Sequence, residues 1–116
     1  MKSNMHLTAL IEELKTSSIK HKSKIWKRIA VELEKPTQSR RIVNISKIEK
    51  FSKKNETVVV PGKVLGMGDL TKKITIAAYN FSKSAREKIS SQGSKAITIS
   101  ELMKKKPKGS KIRIIG

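Results

Sequence analysis

Residues 57–69 of the chain read TVVVPGKVLGMGD, and this stretch decides the predicted fold. It begins with Thr57 and three valines, a β-branched run that favours a buried β-strand. The Pro61-Gly62 pair and the glycines after Leu65 predict turns on either side of a short apolar segment. The stretch therefore predicts the point at which the chain changes from helices to an α/β arrangement.

The second half of the chain continues this alternation. Further strands are predicted over residues 74–78, 96–99 and 111–115. Between them, a helix begins after Ser82 and ends at Gly93, and a short helix is capped by Ser100. Short strands separated by helices predict an α/β fold.

The first half is predicted to be helical and basic. Apolar residues recur at helical spacing over about residues 5–16, and a second helix spans about Lys24 to Glu34. Residues 35–42 have no apolar period and predict a basic loop, after which Asn44 caps a short helix through Phe51. We expect one structural domain overall, with a basic helical N-terminal region over 1–55 and an α/β core over 56–116.

Charge is the strongest functional signal in the sequence. The chain has 27 lysines and arginines against nine acidic residues, a net charge of +18. An excess of this size destabilises the compact state by self-repulsion, so we expect a polyanionic partner, of which nucleic acid is the commonest. Residues 15–54 alone carry thirteen cations against three glutamates, which argues against a lysine surface that serves only solubility. No apolar run is long enough to span a membrane, and no membrane partner is expected.

The sequence offers little for catalysis. It contains no cysteine, which excludes disulfides, thiolate metal sites and thiol nucleophiles. His6 and His21 have no acidic partner nearby, so neither a metal site nor a catalytic base is expected. Gly62-Lys63 is superficially similar to a nucleotide-binding loop, but Thr57 stands where that loop needs glycine and Val64 where it needs a hydroxyl. We therefore expect no enzyme activity, no cofactor and no small-molecule substrate.

The few aromatic residues are predicted to serve the core. Trp26, Phe51 and Phe81 fall on or just before apolar helical faces, whereas Tyr79 is left open. Base stacking normally needs exposed aromatic side chains. Recognition of nucleic acid by shape and phosphate is therefore favoured over sequence-specific reading by stacking.

The segment from Val58 to Gly68 resembles the large-subunit ribosomal protein eighteen-e family of archaea and eukaryotes, a relative of bacterial large-subunit protein fifteen. The resemblance spans nearly the whole chain, including Trp26, Ala30, Leu33, Lys35-Pro36, Val43-Asn44, Ile48, Ala77-Ala78, Phe81-Ser82, Ala85, Lys88-Ile89, Leu102, Pro107, Gly109 and Arg113-Ile114. It implies an irregular α/β fold and a structural role in cytoplasmic ribosomes, as a monomer bound to large-subunit rRNA and to neighbouring ribosomal proteins. The small size and short extensions favour an archaeal-type member.

The rRNA contacts are predicted from the resemblance and from the charge. Carried over residue by residue, the resemblance implies contacts at Lys35, Arg40, Arg41, Asn44, Lys63, Gly66 and Gly68. The density of cations adds Lys22, Lys24, Lys27, Arg28 and Lys47. For Gly66 and Gly68, close approach to a phosphate and a simple role in turns remain equally open.

Two other functions are weighed against this one. A basic chromatin or DNA-compacting protein would use the same charge, although no recognition helix with base-reading side chains is apparent. A small RNA-acting enzyme would need lysine or histidine, His21 for example, as an acid–base group. Comparing the affinity for structured rRNA with that for duplex DNA distinguishes the DNA-compacting protein from the ribosomal one. Cleavage of RNA by the purified protein tests for the enzyme.

Overall fold

A computed structural model describes residues 5–36 and 40–116 of the chain. The described helices are α1 (Met5–His21), α2 (Lys24–Glu34), α3 (Ile45–Phe51), α4 (Lys83–Ser91) and α5 (Ile99–Lys105). The described strands are β1 (Arg41–Asn44), β2 (Thr57–Leu65), β3 (Thr75–Phe81), β4 (Lys95–Thr98) and β5 (Ile112–Ile114). The strands form one parallel sheet, which confirms the predicted α/β class.

Strand β2 is the centre of the sheet. One side of β2 pairs with β3, which in turn pairs with β4. The other side pairs with two strands in succession, with β5 over Thr57–Val59 and with β1 over Gly62–Leu65. The predicted basic loop over 35–42 therefore ends in a strand at Arg41, and its residues 37–39 lie outside the described part of the chain.

The predicted turn at Pro61-Gly62 is wrong, because β2 continues through both residues. Val60 is opposite Ala78 while Lys63 is opposite Asn80, so β2 has one residue more than β3 and forms a bulge there. Proline is tolerated at a bulge because it has no N–H to donate to the ladder. Local sequence cannot distinguish this bulge from a turn, since both use the same residue types.

Helices cover both faces of the sheet, and each face has its own apolar core. Val58 and Val60 point to the face covered by α3 and α4. Val59 points to the face covered by α1, α2 and α5, because side chains alternate along a strand. The second face includes Trp26, whose Nε1 donates a hydrogen bond to the carbonyl oxygen of Pro107 at 2.8 Å.

Two helix boundaries differ from prediction. The last helix is capped by Thr98 rather than Ser100: Thr98 Oγ1 accepts from Glu101 N at 3.0 Å, and Glu101 Oε1 accepts from Thr98 N at 3.3 Å. This reciprocal pair satisfies two N–H groups at once, which a cap at Ser100 would not do. Helix α1 continues beyond residue 16 to His21, because packing on α2 outweighs the weak helix propensity of Thr16-Ser17-Ser18. Ser82 caps α4 as predicted, with its side chain accepting from Ala85 N, whereas Asn44 is the N-cap of α3 by position only and its side chain makes no capping bond.

Two of the three aromatic residues predicted for the core are buried. Trp26 and Phe81 are buried as expected. The prediction for Phe51 is wrong, since 50% of this residue is exposed. Phe51 is the last residue of α3 and lies at the protein surface, with Lys50 Nζ 5.5 Å from its ring centroid.

Candidate nucleic-acid interface

The pairing of β1 with β2 brings four of the predicted contact residues into one part of the sheet. Arg41 is opposite Gly62, Ile42 is opposite Lys63, and Asn44 is opposite Leu65, which precedes Gly66. Residues about twenty positions apart in sequence thus become neighbours through the parallel register. This part of the sheet is the centre of the candidate interface.

Glu32 on α2 binds two of the predicted phosphate contacts. Lys35 Nζ lies 3.1 Å from Glu32 Oε2, and Arg41 Nε lies 3.2 Å from the same oxygen. Arg41 also donates from Nη2 to Glu32 Oε1 at 3.4 Å. The Arg40 side chain is held by the backbone instead, because its Nε donates to the carbonyl oxygen of Lys35 at 3.1 Å. The carboxylate therefore fixes the position of two cations and offsets one of their charges.

The carboxyl of Glu32 is tuned to remain ionised. Burial raises its pKa, but hydrogen bonds from Lys35 and Arg41 outweigh that effect, and the pKa of Glu32 lies below its ordinary value of 4.5. Its side chain is only 15% exposed, whereas Lys35 and Arg41 are each more than 40% exposed. The two cations can therefore contact an external anion while they remain paired with Glu32.

Lys63 lies beside this network in an open cleft of about 250 Å³. The cleft is lined by Arg40, Arg41, Ile42, Gly62, Lys63, Tyr79 and Asn80. Lys63 is exposed, and its amine makes no hydrogen bond or ion pair with the described part of the chain. A cleft with one unpaired lysine and two arginines suits phosphate oxygens, which arginine binds through its planar fork and lysine as a point charge.

The outer face of α2 carries a second group of predicted contacts. Lys24, Lys27 and Arg28 are spaced three and four residues apart, so they lie on one face of the helix, opposite the buried Trp26 and Ile29. All three are exposed, as are Lys22 in the turn before α2 and Lys47 on α3. None of these five side chains pairs with another residue in the ranges 5–36 and 40–116. Their charges are available to a partner.

Gly66 and Gly68 have a packing role. A Cβ atom on Gly66 would overlap the Ser84 side chain at the start of α4. A Cβ atom on Gly68 would lie 2.7 Å from the backbone nitrogen of Ser46 at the start of α3, and Gly68 has a φ of +102°. These two glycines allow the loop to contact the first turns of two helices, which favours the structural explanation of the motif.

Asn44 supports the same loop. Its Oδ1 accepts a hydrogen bond from Met67 N at 3.3 Å, and Met67 O accepts from Ser46 N at 3.0 Å. Asn44 is an N-cap by position, yet its side chain makes no capping bond to α3. Lys88 Nζ donates to the carbonyl oxygen of Gly68 at 2.7 Å and fixes the loop from the other side. Met67 is thereby presented to solvent with 71% of the residue exposed.

Two features of this surface were missed by sequence reasoning. The role of Glu32 could have been suspected from its position three residues before Lys35 on a helix, a spacing that permits an ion pair. A second group of cations, Lys53, Lys54, Lys106, Lys111 and Arg113, lines a separate cleft at the opposite end of β2. No local signal joins its two segments, because they are about fifty residues apart in sequence.

The described residues hold no metal-binding arrangement. No group of three or more histidine, cysteine, aspartate or glutamate side chains converges within residues 5–36 and 40–116. In the same ranges, no helix is both long and apolar enough to cross a membrane. The chemistry that the surface does support is electrostatic binding of anions.

The sequence matches the family model described as "Ribosomal protein 60S L18 and 50S L18e" over residues 2–116. The chain belongs to this family. It is 47% identical over 114 residues to "Large ribosomal subunit protein eL18" of Archaeoglobus fulgidus, which covers 98% of this chain and 97% of the relative. Proteins of the same name from Methanoregula boonei and Methanococcus maripaludis are 47% and 41% identical, over 98% and 99% of this chain and 94% and 96% of their own lengths.

Proposed function

We propose that the chain is a structural constituent of the large ribosomal subunit that binds rRNA through phosphate and shape contacts. The observation that carries this proposal is its family membership, with relatives named as large ribosomal subunit proteins that match it almost from end to end. The role is structural rather than enzymatic, and the place of action is the ribosome in the cytoplasm. The archaeal relatives support an archaeal-type member.

The proposed mode of binding follows from the charges of the surface. With a net charge of +18, the chain stays compact at low cost only where anions surround it. The cations of α2 and the cleft around Lys63 have few acidic neighbours, and the one aromatic side chain that lines this cleft, Tyr79, is half-buried. The phosphates of the RNA backbone are then the natural ligands, and release of the counterions condensed on them drives binding. We assign the main contact to the cleft around Arg40, Arg41 and Lys63, together with the nearby cations of the basic helical region, Lys22, Lys24, Lys27, Arg28, Lys35 and Lys47.

The finer partners are part of the same proposal. The chain would act as a monomer within the ribosome, between large-subunit rRNA and neighbouring large-subunit proteins. Candidates for contacts with those neighbours are the large apolar residues exposed on the described surface, Met5, Ile19, Val31, Ile42, Phe51 and Met67. No membrane or small-molecule ligand is needed for this role.

The test compares two variants with equal loss of charge. Arg40→Gln with Lys63→Gln removes two cations of the proposed interface, whereas Lys83→Gln with Lys95→Gln removes two exposed cations outside it. Binding to large-subunit rRNA is measured at several salt concentrations, beside binding to duplex DNA. For the wild type we expect a steep log–log slope that reflects ~6–10 phosphate contacts. The interface variant should lower that slope by about two, one for each cation lost.

The outcomes discriminate clearly. Loss of rRNA affinity and of incorporation into large subunits in the interface variant, with the control unaffected, supports the proposal. Equal affinity of the wild type for duplex DNA and structured rRNA would favour a DNA-compacting protein instead. Normal incorporation of the interface variant would refute the assigned contact, and absence of the wild type from large subunits would refute the function.

A further inference from the structure

A cleft that the proposed interface does not use lies at the opposite end of β2. It measures about 630 Å³ and lies at the amino ends of β2 and β5. One wall is formed by residues 53–57, which lead into β2, and the other by Lys106 together with residues 111–113, where β5 begins. The pairing of Thr57 with Ile112 joins the two walls at the base.

Positive charge dominates this amino-end cleft. Five cations line it, and Glu56 is the one acidic residue among its lining side chains. Glu56 is already engaged, because its Oε1 accepts from Arg113 Nε at 2.7 Å and from Lys53 N at 3.0 Å. The hydrogen bond from Arg113 is the main cause of the lowered pKa of Glu56. Glu56 and Arg113 therefore neutralise each other.

Four lysine amines form no ion pair with the described part of the chain, although the charge of Lys53 also contributes to the lowered pKa of Glu56. Lys53, Lys54, Lys106 and Lys111 make no side-chain hydrogen bond or ion pair within the described ranges. Four like charges on facing walls repel one another, which costs stability unless an anion lies between them. The fold nevertheless brings these walls together from two distant segments.

The walls are held in position by the backbone rather than by the charges. Asn55 N donates to Lys73 O at 2.9 Å, and Gly109 N donates to Lys106 O at 2.8 Å. Asn55 and Lys111, one on each wall, both have positive φ angles of 64° and 57°. For a residue with a Cβ atom, such as lysine, this conformation is unfavourable. The cleft is thus preformed before any ligand binds.

The lining fits phosphates better than a protein partner. Ile112 is the one large apolar side chain among the lining residues, and none of them is aromatic. A protein partner would ordinarily need a buried apolar or aromatic anchor. Lysine amines are strong but geometrically undemanding ligands of phosphate oxygens.

From this cleft, and resting on the proposed ribosomal function, we propose that the chain bridges two separate rRNA segments. One backbone segment is held in the cleft of Lys53, Lys54, Lys106 and Lys111, and the other at the interface around Arg40, Arg41 and Lys63. Thr57 and Lys63 lie roughly 20 Å apart along β2, because a strand rises about 3.3 Å per residue. The two sites lie at opposite ends of the sheet, so they present their charges to different parts of the RNA.

The first experiment removes one cation from each wall of the amino-end cleft. Lys54→Gln with Lys111→Asn keeps the fold, because asparagine tolerates the positive φ that Lys111 adopts. The control is again Lys83→Gln with Lys95→Gln. We expect the cleft variant to reduce the salt slope of rRNA binding by about two, in addition to the reduction caused by Arg40→Gln with Lys63→Gln. Unchanged slopes in the cleft variant would overturn the inference.

The second experiment locates the RNA directly. Because the chain has no cysteine, single variants such as Ser110→Cys beside the cleft and Ile42→Cys beside Lys63 can each carry one tethered iron–EDTA group. After incorporation into large subunits, hydroxyl radicals cleave the rRNA next to each group. Cleavage at two different segments supports bridging.

Two other results would contradict bridging. Cleavage at one shared segment, or no cleavage from residue 110, would overturn it and leave the ribosomal function intact, since the chain would still be in the subunit. Absence of the wild-type chain from large subunits would instead overturn the proposed function, and the bridging inference with it.

Discussion

The carbonyl oxygen of Arg41 occupies the space that a Cβ atom on Gly62 would need. This contact joins β1 to the bulge of β2 and places Arg41 against Glu32 on α2. The same glycine thus serves both the sheet and the candidate interface. It explains why a residue pair that is typical of turns stands inside the central strand.

Replacing Gly62 by alanine should therefore be strongly destabilising. We expect Gly62→Ala to lower the free energy of unfolding by about 2–3 kcal/mol, because the backbone of β1 must move to admit the methyl group. Urea unfolding followed by circular dichroism measures the change. Gly93→Ala is the matched control: its nearest neighbour would be Lys73 Cε at 3.4 Å, so only the strain of its φ of +79° is added. Equal effects of the two substitutions would contradict the steric explanation.

Trp26 is buried and Phe51 is exposed, so substitutions at these two residues should have very different effects on stability. Trp26→Phe should cost about 2 kcal/mol, since it removes the bond from Nε1 to Pro107 O and leaves a cavity in the core. Phe51→Leu should change stability by no more than about 0.5 kcal/mol, because Phe51 lies at the surface. Thermal unfolding of both variants at one pH tests this. A larger loss for Phe51→Leu would mean that the helix end is buried in solution.

Stability should fall at acid pH through identifiable carboxyl groups. The pKa of Glu49 is lowered from 4.5, first by the hydrogen bond from Thr71 N, and the pKa values of Glu32 and Glu56 are lowered as well. A carboxyl group whose pKa is lower in the folded state than in the unfolded state stabilises the fold at pH values above its unfolded-state pKa. That stabilisation is lost as the pH falls through the folded-state pKa. We expect constant melting temperatures near pH 6 and a decrease below about pH 4.5.

The substitution Glu49→Gln isolates one of these groups. Glu49 accepts from both Thr71 N and Thr71 Oγ1 at 2.8 Å, and in the variant an uncharged NH2 group, which can only donate, replaces one of the two accepting oxygens and leaves Lys72 without its carboxylate partner. The free energy of unfolding of the variant should be lower by about 0.5–1 kcal/mol at neutral pH, and its stability should decrease less steeply at acid pH. Glu87→Gln, an exposed site on α4, serves as the control for charge alone. Parallel pH profiles for wild type and Glu49→Gln would contradict the assignment.

Glu32 should restrain RNA binding while stabilising the fold. In Glu32→Gln, Lys35 and Arg41 lose the carboxylate that offsets one of their charges. We expect a salt slope for rRNA binding that is steeper by about one, because one more positive charge is available to phosphates. The melting temperature should fall slightly at neutral pH. Titrations at several salt concentrations measure the first effect, and a shallower slope in the variant would refute it.

The sequence alone determined the fold class, the main helices and the general nature of the partner. Helix α2 was predicted from Lys24 to Glu34 because its apolar residues follow the helical period and Pro36 excludes continuation. The β-branched runs marked the strands because such side chains suit a pleated, buried surface. The net charge of +18 is a property of composition, so it required no structure to indicate a polyanion.

Only the tertiary structure decided how these elements meet. The register of β1 on β2 places Arg41 beside Gly62, and the packing of α2 brings Glu32 to Arg41. The amino-end cleft joins Lys54 to Lys111 in the same way, through the pairing of β2 with β5. Parallel strands pair across long sequence separations, and no local pattern records which distant segment will become the neighbour. The position of each charge is therefore a property of the folded sheet, whereas its sign and number were already present in the chain.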